Sequence, residues 1–396
     1  MDVICHVITK LELGGAQEVA MRVVSSLDRR RFRPVLIAGD GGLRTEEAHA
    51  LEGVDVHVIP SLVREIRPLQ DLRALWELVA TFRRLRPKIV HTHSSKAGIL
   101  GRLAAWLAGV PCILHTIHGY GVTPAQPLWL QHMVIKLEWM VGRVTTHWIA
   151  VSQADRRQGL EWELFSASKV SVVRPGIDPT AFAARIDQAE RDRLRAALGV
   201  GPEQLLVGTV SCLKPQKSPE DFIRVASLVC QRMPAAKCVL VGDGALRPQI
   251  EAMIHSHGLQ DRVTLLGWRR DVASLLKAFD VFVLTSQWEG LPCAILEARA
   301  SRIPIVATRV GGSAEAIIEG IQGTLCPAGD VRAIASRVCQ ILGDERLRAD
   351  LRNGPQELPE EFTIQETVKQ YQSLYTYLLH ATRPAEDMMK LQPNRL

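Results

Sequence analysis

The stretch over residues 285–312, TSQWEGLPCAILEARASRIPIVATRVGG, constrains the fold more than any other part of the chain. It follows a short apolar run, Val281-Phe282-Val283-Leu284, set between Asp280 and Thr285, which reads as a strand buried on both faces. A loop over residues 287–290 comes next, then a helix beginning near Pro292, because proline suits the first turn of a helix. A second apolar run over 305–307 and the pair Gly311-Gly312 close a strand–helix–strand unit. Ligands of such units gather where strand carboxyl ends meet helix N-termini. Two carboxylates flank the helix start: Glu289 in the loop and Glu297 about two turns in. At ~1.5 Å of rise per residue the second lies roughly 8–9 Å further along. That spacing suits one elongated ligand held at two points. A carboxyl pair acting together on one bond needs both groups about 5–9.5 Å apart and facing it. The other use of two such residues is to offset the positive end of the helix, worth about 0.3–1 kcal/mol each.

The rest of the chain alternates strand and helix in the same way. A strand over residues 3–8 leads into Leu13-Gly14-Gly15-Ala16-Gln17 and a helix with Val19, Ala20, Val23, Val24 and Leu27 at helical spacing. Strands follow at 35–38, 54–59 and 89–91, with an amphipathic helix over 69–82. Strand ends carry His91-Thr92-His93 and then His115-Thr116-Ile117-His118-Gly119. Further on, a strand over 205–210 enters Ser211-Cys212-Leu213-Lys214-Pro215-Gln216-Lys217. Another over 238–241 enters Gly242-Asp243-Gly244, and one over 263–266 enters Gly267-Trp268-Arg269. This alternation predicts an α/β fold of doubly wound parallel sheets. At 396 residues the chain is too long for one ordinary core. Arg174-Pro175-Gly176 and a charged run over 185–195 mark a boundary. The expected domains are 1–180 and 181–362, with a helix over 363–380 returning to the first and a loose polar tail over 381–396. A dinucleotide fold would place G-x-G-x-x-G after its first strand, and only one adjacent glycine pair stands there.

Composition narrows the setting. No apolar run reaches the ~18 residues of a membrane span, and the opening MDVICHVITK lacks the parts of a signal peptide. Eight cysteines show no C-x2-C pairing and sit mostly in apolar runs, so reduced core thiols, a cytoplasmic location and no metal site are expected. Residues 1–180 hold 22 Lys and Arg against 17 Asp and Glu, +5 of the net +6. The clusters at Arg29-Arg30-Arg31 and Arg83-Arg84 read either as a solvated face or as a peripheral contact with anionic membrane, at about 1 kcal/mol per basic residue near the surface. Nucleic acid is not an expected partner, since neither interleaved aromatics nor a recognised motif accompanies them. The helix over 127–144, with Leu128, Trp129, Met133, Leu137, Trp139 and Met140, reads first as core packing and second as a bilayer-interface helix.

The central stretch resembles the E-x7-E signature of the retaining family-4 glycosyltransferases of the GT-B fold, with its flanking G-L-P, L-E-A, P-I-V-A-T and G-G intact. The resemblance spans about residues 2–380. It implies two Rossmann-like domains facing across a cleft, the first on the acceptor side and the second binding a nucleotide diphosphate sugar of UDP-sugar or GDP-mannose type. Glu289, with Gly290 and Leu291, would contact the donor sugar, and Glu297 the ribose. Lys217, helped by Lys214, would grip the pyrophosphate together with the helix start after Gly312, an arrangement that needs no metal or other cofactor. Gly14 and Gly15 match the first domain's phosphate- and acceptor-side loop. Gly242 and Gly244 match a turn at the nucleotide, and Trp268 and Arg269 a loop that reads the base. His118 matches the histidine beside the transferred sugar. His118, Glu289 and Lys217 thus take the catalytic places.

Three residues depart from the family pattern. Cys212 stands where a phosphate-binding arginine is usual, and Arg299 and Arg302 where methionine and glycine are frequent. A left-handed helix cap at Arg302 should cost about 1 kcal/mol. The implied activity is transfer of a sugar, with retention, to a glycan or lipid-linked acceptor in cell-envelope polysaccharide or glycoconjugate synthesis. A nucleotide-sugar 2-epimerase of the same fold, a non-catalytic nucleotide-sugar-binding protein and, last, a dinucleotide oxidoreductase are the alternatives.

Overall fold

A computed structural model describes residues 1–123, 126–354 and 357–381. The tail expected over 381–396 lies, apart from Ala381, outside the described residues. Chain contacts divide the protein into two units, Met1–Pro175 with the segment from Ile364 onward, and Gly176–Thr363.

In the first unit seven strands form one sheet: β1 (Asp2–Ile8), β2 (Phe32–Ala38), β3 (Asp55–Val58), β4 (Ile89–His93), β5 (Cys112–Ile117), β6 (His147–Ala150) and β7 (Val170–Val172). They are all parallel, in the order β3-β2-β1-β4-β5-β6-β7. The order reverses direction between β1 and β4, and sheets of this kind bind ligands at the carboxyl ends beside such a reversal. Helices cover both faces of the central strands, so even the polar members of β1, β4 and β5, from His6 and His91 to Thr116, are buried. One face is covered by the helices Gly15–Ser26 and Ile364–Ala381. The second of these buries Ile364, Val368, Tyr371, Tyr375 and Leu378, spaced three and four apart as one helical stripe requires. They pack on Ile4, Ile89 and Leu114 of the sheet, so the chain's last described helix belongs to the core of its first unit.

The second unit repeats the plan with β8 (Leu205–Val210), β9 (Ala236–Val241), β10 (Val263–Leu265), β11 (Val281–Leu284), β12 (Ile305–Thr308) and β13 (Gly323–Cys326). The order is β10-β9-β8-β11-β12-β13, parallel throughout, and reverses between β8 and β11. Gly208 stands inside β8 because a Cβ there would lie 2.0 Å from the Phe279 ring. The buried Asp280, one residue before β11, accepts from Arg191 Nη2 (2.7 Å), Arg195 Nη1 (3.0 Å) and the backbone N–H of Leu206 (2.8 Å). Burial alone would raise its pKa; the Leu206 amide and the charges of Arg191 and Arg195 outweigh that and hold it below the ordinary value.

Two expectations change. The Trp/Met helix, Leu128–Gly142, is not core: Val141 is its buried residue, while Leu128, Trp129, Met133 and Met140 are each at least half exposed. Apolar residues run almost all round this helix, so periodicity could not say which side the sheet would take. The helix carrying Glu297 runs Cys293–Ala300 with Pro292 as its N-cap, which puts Glu297 just over one turn in. Arg302 does adopt the left-handed conformation, with φ 57°.

Candidate active site

The reversal between β8 and β11 brings two loops side by side in the second unit. The first, after β8, ends in a short 3-10 turn, Pro215–Lys217, before the helix Pro219–Arg232. The second runs from Thr285 to the start of Cys293–Ala300. They are stitched by backbone and side-chain bonds. The Gln287 N–H donates to Gln216 O (2.8 Å), and Thr285 Oγ1 donates to Ser218 O (2.9 Å). Gln216 Nε2 donates to Trp288 O (3.0 Å). Into this frame fall Lys217 and Glu289, whose side chains form a direct ion pair. Ser286 Oγ donates to the same Glu289 oxygen at 2.6 Å, and Thr308 Oγ1 holds the Ser286 carbonyl, also at 2.6 Å. Gln216 Nε2 reaches the other Glu289 oxygen at 3.4 Å. Glu289 is buried, so an acidic group with a cation, a hydroxyl and an amide donor sits fixed at the carboxyl end of β11.

The glycines of this region have a steric explanation. A Cβ on Gly311 would lie 1.8 Å from Glu289 O, and the Gly312 N–H donates to Gly290 O at 2.7 Å. The glycine turn therefore presses against the backbone that carries Glu289, and any side chain at 311 would push that carboxylate out of place. Beyond it, Ser313–Ala316 is a single helical turn, too short to carry the dipole of a full helix. Ser313 Oγ is buried there without a hydrogen-bond partner among the described residues. Gly242 and Gly244 likewise abut the loop after β8, with a Cβ meeting Ser211 O at 2.0 Å and Leu213 O at 2.5 Å. Trp268 is partly exposed, and Arg269 forks onto Asp271 through Nε (2.8 Å) and Nη2 (2.5 Å); both follow β10, two strands from β8. Leu291 is buried, and Glu297 and Lys214 are partly buried.

The remaining residues singled out from the sequence belong to the first unit. Gly14 is the N-cap of Gly15–Ser26, with the Glu18 N–H donating to its carbonyl at 3.0 Å. His118 follows β5, and its Nε2 lies 3.0 Å from Nδ1 of His93. Burial draws the His118 pKa down to about 4, and it draws His91, His93 and His115 well below the ordinary value, so these rings are neutral near pH 7. Sequence reasoning missed Ser286, Gln216 and Ser313. A serine three residues before Glu289 was the available signal for the first; nothing local marks the other two.

Comparison with known proteins gives the family. Residues 13–181 match Glycosyltransferase Family 4, and residues 190–357 match Glycosyl transferases group 1. An Escherichia coli UDP-Gal:alpha-D-GlcNAc-diphosphoundecaprenol alpha-1,3-galactosyltransferase is 31% identical over 375 residues, 94% of this chain and 96% of its own length. CapM of Staphylococcus aureus, a capsular polysaccharide biosynthesis glycosyltransferase, is 23% identical over 90% of this chain and 93% of its own. The structure of Anabaena HepE with UDP and glucose superposes with a TM-score of 0.80 at 22% identity, covering 95% of this chain and 100% of that one, a likeness of fold. The chain belongs to the group 1, family-4 glycosyltransferases, with two Rossmann-like domains of the GT-B fold, and acts in polysaccharide biosynthesis. No helix among the described residues is long and apolar enough to cross a membrane.

Proposed function

We propose that the chain transfers a hexosyl or N-acetylhexosaminyl group from a UDP-sugar to a sugar already carried on a polyprenyl diphosphate, with retention at the anomeric carbon and without a metal. The observation that carries this reading is the Lys217–Glu289–Ser286 cluster at the β8/β11 reversal, with Glu289 and Ser286 buried. The identity to a UDP-galactose enzyme along nearly the whole chain supports the donor and acceptor classes. Lys217 leaves Glu289 for the donor diphosphate when it arrives, and the carboxylate turns to the sugar hydroxyls. Preorganised charge of this kind is worth about 100- to 1,000-fold in rate per group. The orphan hydroxyl of Ser313 supplies a further donor to the diphosphate. Glu297 holds the ribose, and Trp268 and Arg269 lie on the base side.

A lipid-linked acceptor requires the enzyme to work at a membrane surface. The exposed Leu128, Trp129, Met133 and Met140, with Lys136 on the same helix and Arg143 stacked 4.0 Å over Trp139, form the face we assign to that contact. The test is transfer from radiolabelled UDP-galactose and UDP-N-acetylglucosamine to a synthetic polyprenyl diphosphate sugar, with and without EDTA, and the product's anomeric configuration read by NMR. An α-linked product formed from an α-linked donor, undiminished by EDTA, is expected. Isomer formation from donor alone, or binding of UDP without transfer across an acceptor panel, would replace this reading with an epimerase or a binding protein. Sedimentation with anionic vesicles should exceed that with neutral ones and fall on Trp129→Ala.

A further inference from the structure

The first unit contains a continuous hydrogen-bonded chain that the transfer reaction does not explain. It runs from His118 Nε2 to His93 Nδ1 (3.0 Å), then from His93 Nε2 to His6 Nδ1 (3.0 Å). His6 Nε2 meets the Tyr375 hydroxyl (3.0 Å), which meets His91 Nδ1 (2.6 Å). His91 Nε2 meets Thr116 Oγ1 (2.6 Å), and Thr116 Oγ1 meets the Tyr371 hydroxyl (3.3 Å). Strand register builds it: His6 stands opposite His91, and His93 opposite Thr116, on the sheet face that the helix Ile364–Ala381 covers. All members but His118 are buried.

Each neutral imidazole has one N–H and one lone pair, and each hydroxyl has one hydrogen. The direction of the whole chain is therefore decided at one end. Among the described residues the Tyr371 hydroxyl has Thr116 Oγ1 as its sole partner, so it donates to Thr116. Thr116 must then donate to His91 Nε2, or its own hydrogen is orphaned in the core. His91 consequently carries its proton on Nδ1 and donates to Tyr375, which donates to His6 Nε2. His6 donates through Nδ1 to His93 Nε2, and His93 through Nδ1 to His118 Nε2. The opposite direction strands a buried hydroxyl hydrogen at Thr116 or Tyr371.

We infer that this chain locks His118 in the Nδ1–H tautomer, so that the ring nitrogen it leaves over is a hydrogen-bond donor and not a base. Burial supports the neutrality the argument needs. His6 is drawn down to about 3, and Tyr371 is pushed up to about 12, so no member gains or loses a proton near pH 7. His6, His91 and His93 also lie close enough together to hold a metal ion, but all six of their ring nitrogens already have protein partners. The role that follows rests on the proposed sugar transfer: His118 donates to a hydroxyl oxygen of the transferred sugar. Tyr375 and Thr116 are positioning residues acting from a distance.

The tautomers are read directly by long-range ¹H–¹⁵N spectra of the histidine-labelled full chain at pH 7. His118, His93, His6 and His91 should all show Nδ1–H, against the Nε2–H form that free neutral histidine prefers. A His118 Nε2–H or imidazolium signal, or a stoichiometric metal in the purified protein, would overturn the inference. Thr116→Val keeps the shape and removes the hydroxyl that sets the direction. In a variant with native amide shifts elsewhere, His118 should become a mixture of tautomers; an unchanged His118 would sink the lock. In transfer assays His118→Asn, which keeps an N–H near the Nδ1 position, should stay within about tenfold of the parent, while His118→Ala falls about 100-fold. If transfer itself is absent, the spectra still decide the tautomer, so the two readings fail separately.

Discussion

The two units share one plan, a doubly wound parallel sheet with its reversal between two central strands, yet they set opposite chemistry on and around those strands. The first places uncharged groups there: His6, His91, His93, Tyr371 and Tyr375, bonded to one another in sequence. The second places charges at the two ends of its central strands: Asp280 among Arg191, Arg195 and Arg352 before β11, and Glu289 with Lys217 in the loops beyond β11 and β8. A buried neutral network keeps its strength only while nothing ionises, whereas a buried ion pair keeps its strength only while both partners stay charged. The two units should therefore fail under different stresses.

Acid is the largest of these. The folded-state pKa of His6 lies near 3, below its ordinary value of 6.5. A histidine held neutral in this way lends stability that is complete above the unfolded value. That stability drains as the pH falls from about 6.5 toward the folded value, because the unfolded chain then binds the extra proton. Between pH 7 and pH 5 this amounts to about 2 kcal/mol for His6 alone. His91, His93, His115 and His118 are displaced in the same direction and add to it. Asp280 is displaced downward from 3.8, so its contribution is untouched until the pH falls below that value. Hydrogen exchange at pH 5 should show β1, β4 and β5 opening while β8 and β11 stay protected. Equal loss in the two sheets would remove the distinction.

Charge removal reverses the order. Asp280→Ala strips three arginines and one backbone amide of their acceptor and should destabilise the second unit by about 3–5 kcal/mol, the cost of leaving buried charge unpaired. Denaturant unfolding followed by tryptophan probes in each unit would separate this from any effect on the first. A transition shifted equally in both units would mean that they unfold as one cooperative body.

A smaller effect, on rate, separates the sites. Glu289→Gln keeps the shape but loses the charge that Lys217 and Ser286 address, and transfer should fall about 100- to 1,000-fold with the fold retained by circular dichroism. Thr116→Val, acting through the hydrogen-bond chain, should cost less than about tenfold in kcat with KM for the donor little changed. An equal loss in both would mean that the neutral chain carries as much of the chemistry as the charged cluster.

What could be read from the sequence follows the same physics. The alternation of strand and helix, and the crowding of Glu289, Gly290, Pro292 and Glu297 into one strand–helix connection, are local patterns. They point to one of the two loops that the structure brings together at the β8/β11 reversal. The pairing of Lys217 with Glu289 spans 72 residues, and the meeting of His91 with Tyr375 spans 284; each depends on which strands become neighbours. His91 and His93 were legible as residues at a strand end, but the direction of their hydrogen bonds waits on Tyr371, 280 residues downstream of His91 in sequence. The helix Leu128–Gly142 escaped because a helix apolar almost all round has no preferred face to announce.

The least of the expected effects is also the most symmetrical. Each unit ends a helix with an arginine in the left-handed conformation, Arg86 after Pro68–Leu85 (φ 48°) and Arg302 after Cys293–Ala300 (φ 57°). A residue with a Cβ is strained there by about 1–2 kcal/mol, whereas glycine is not, although glycine loses more freedom on folding. The net gain from Arg86→Gly or Arg302→Gly should be about 1 kcal/mol, or ~2–4 °C in Tm for domains of this size. At Arg86 the backbone N–H closes the helix onto Phe82 O (2.8 Å), and at Arg302 it closes onto Arg299 O (2.9 Å), bonds that glycine keeps. Each substitution should then raise only its own unit's transition. A loss of stability at Arg302 alone would show that its side chain holds something in the second unit that the strained backbone conceals.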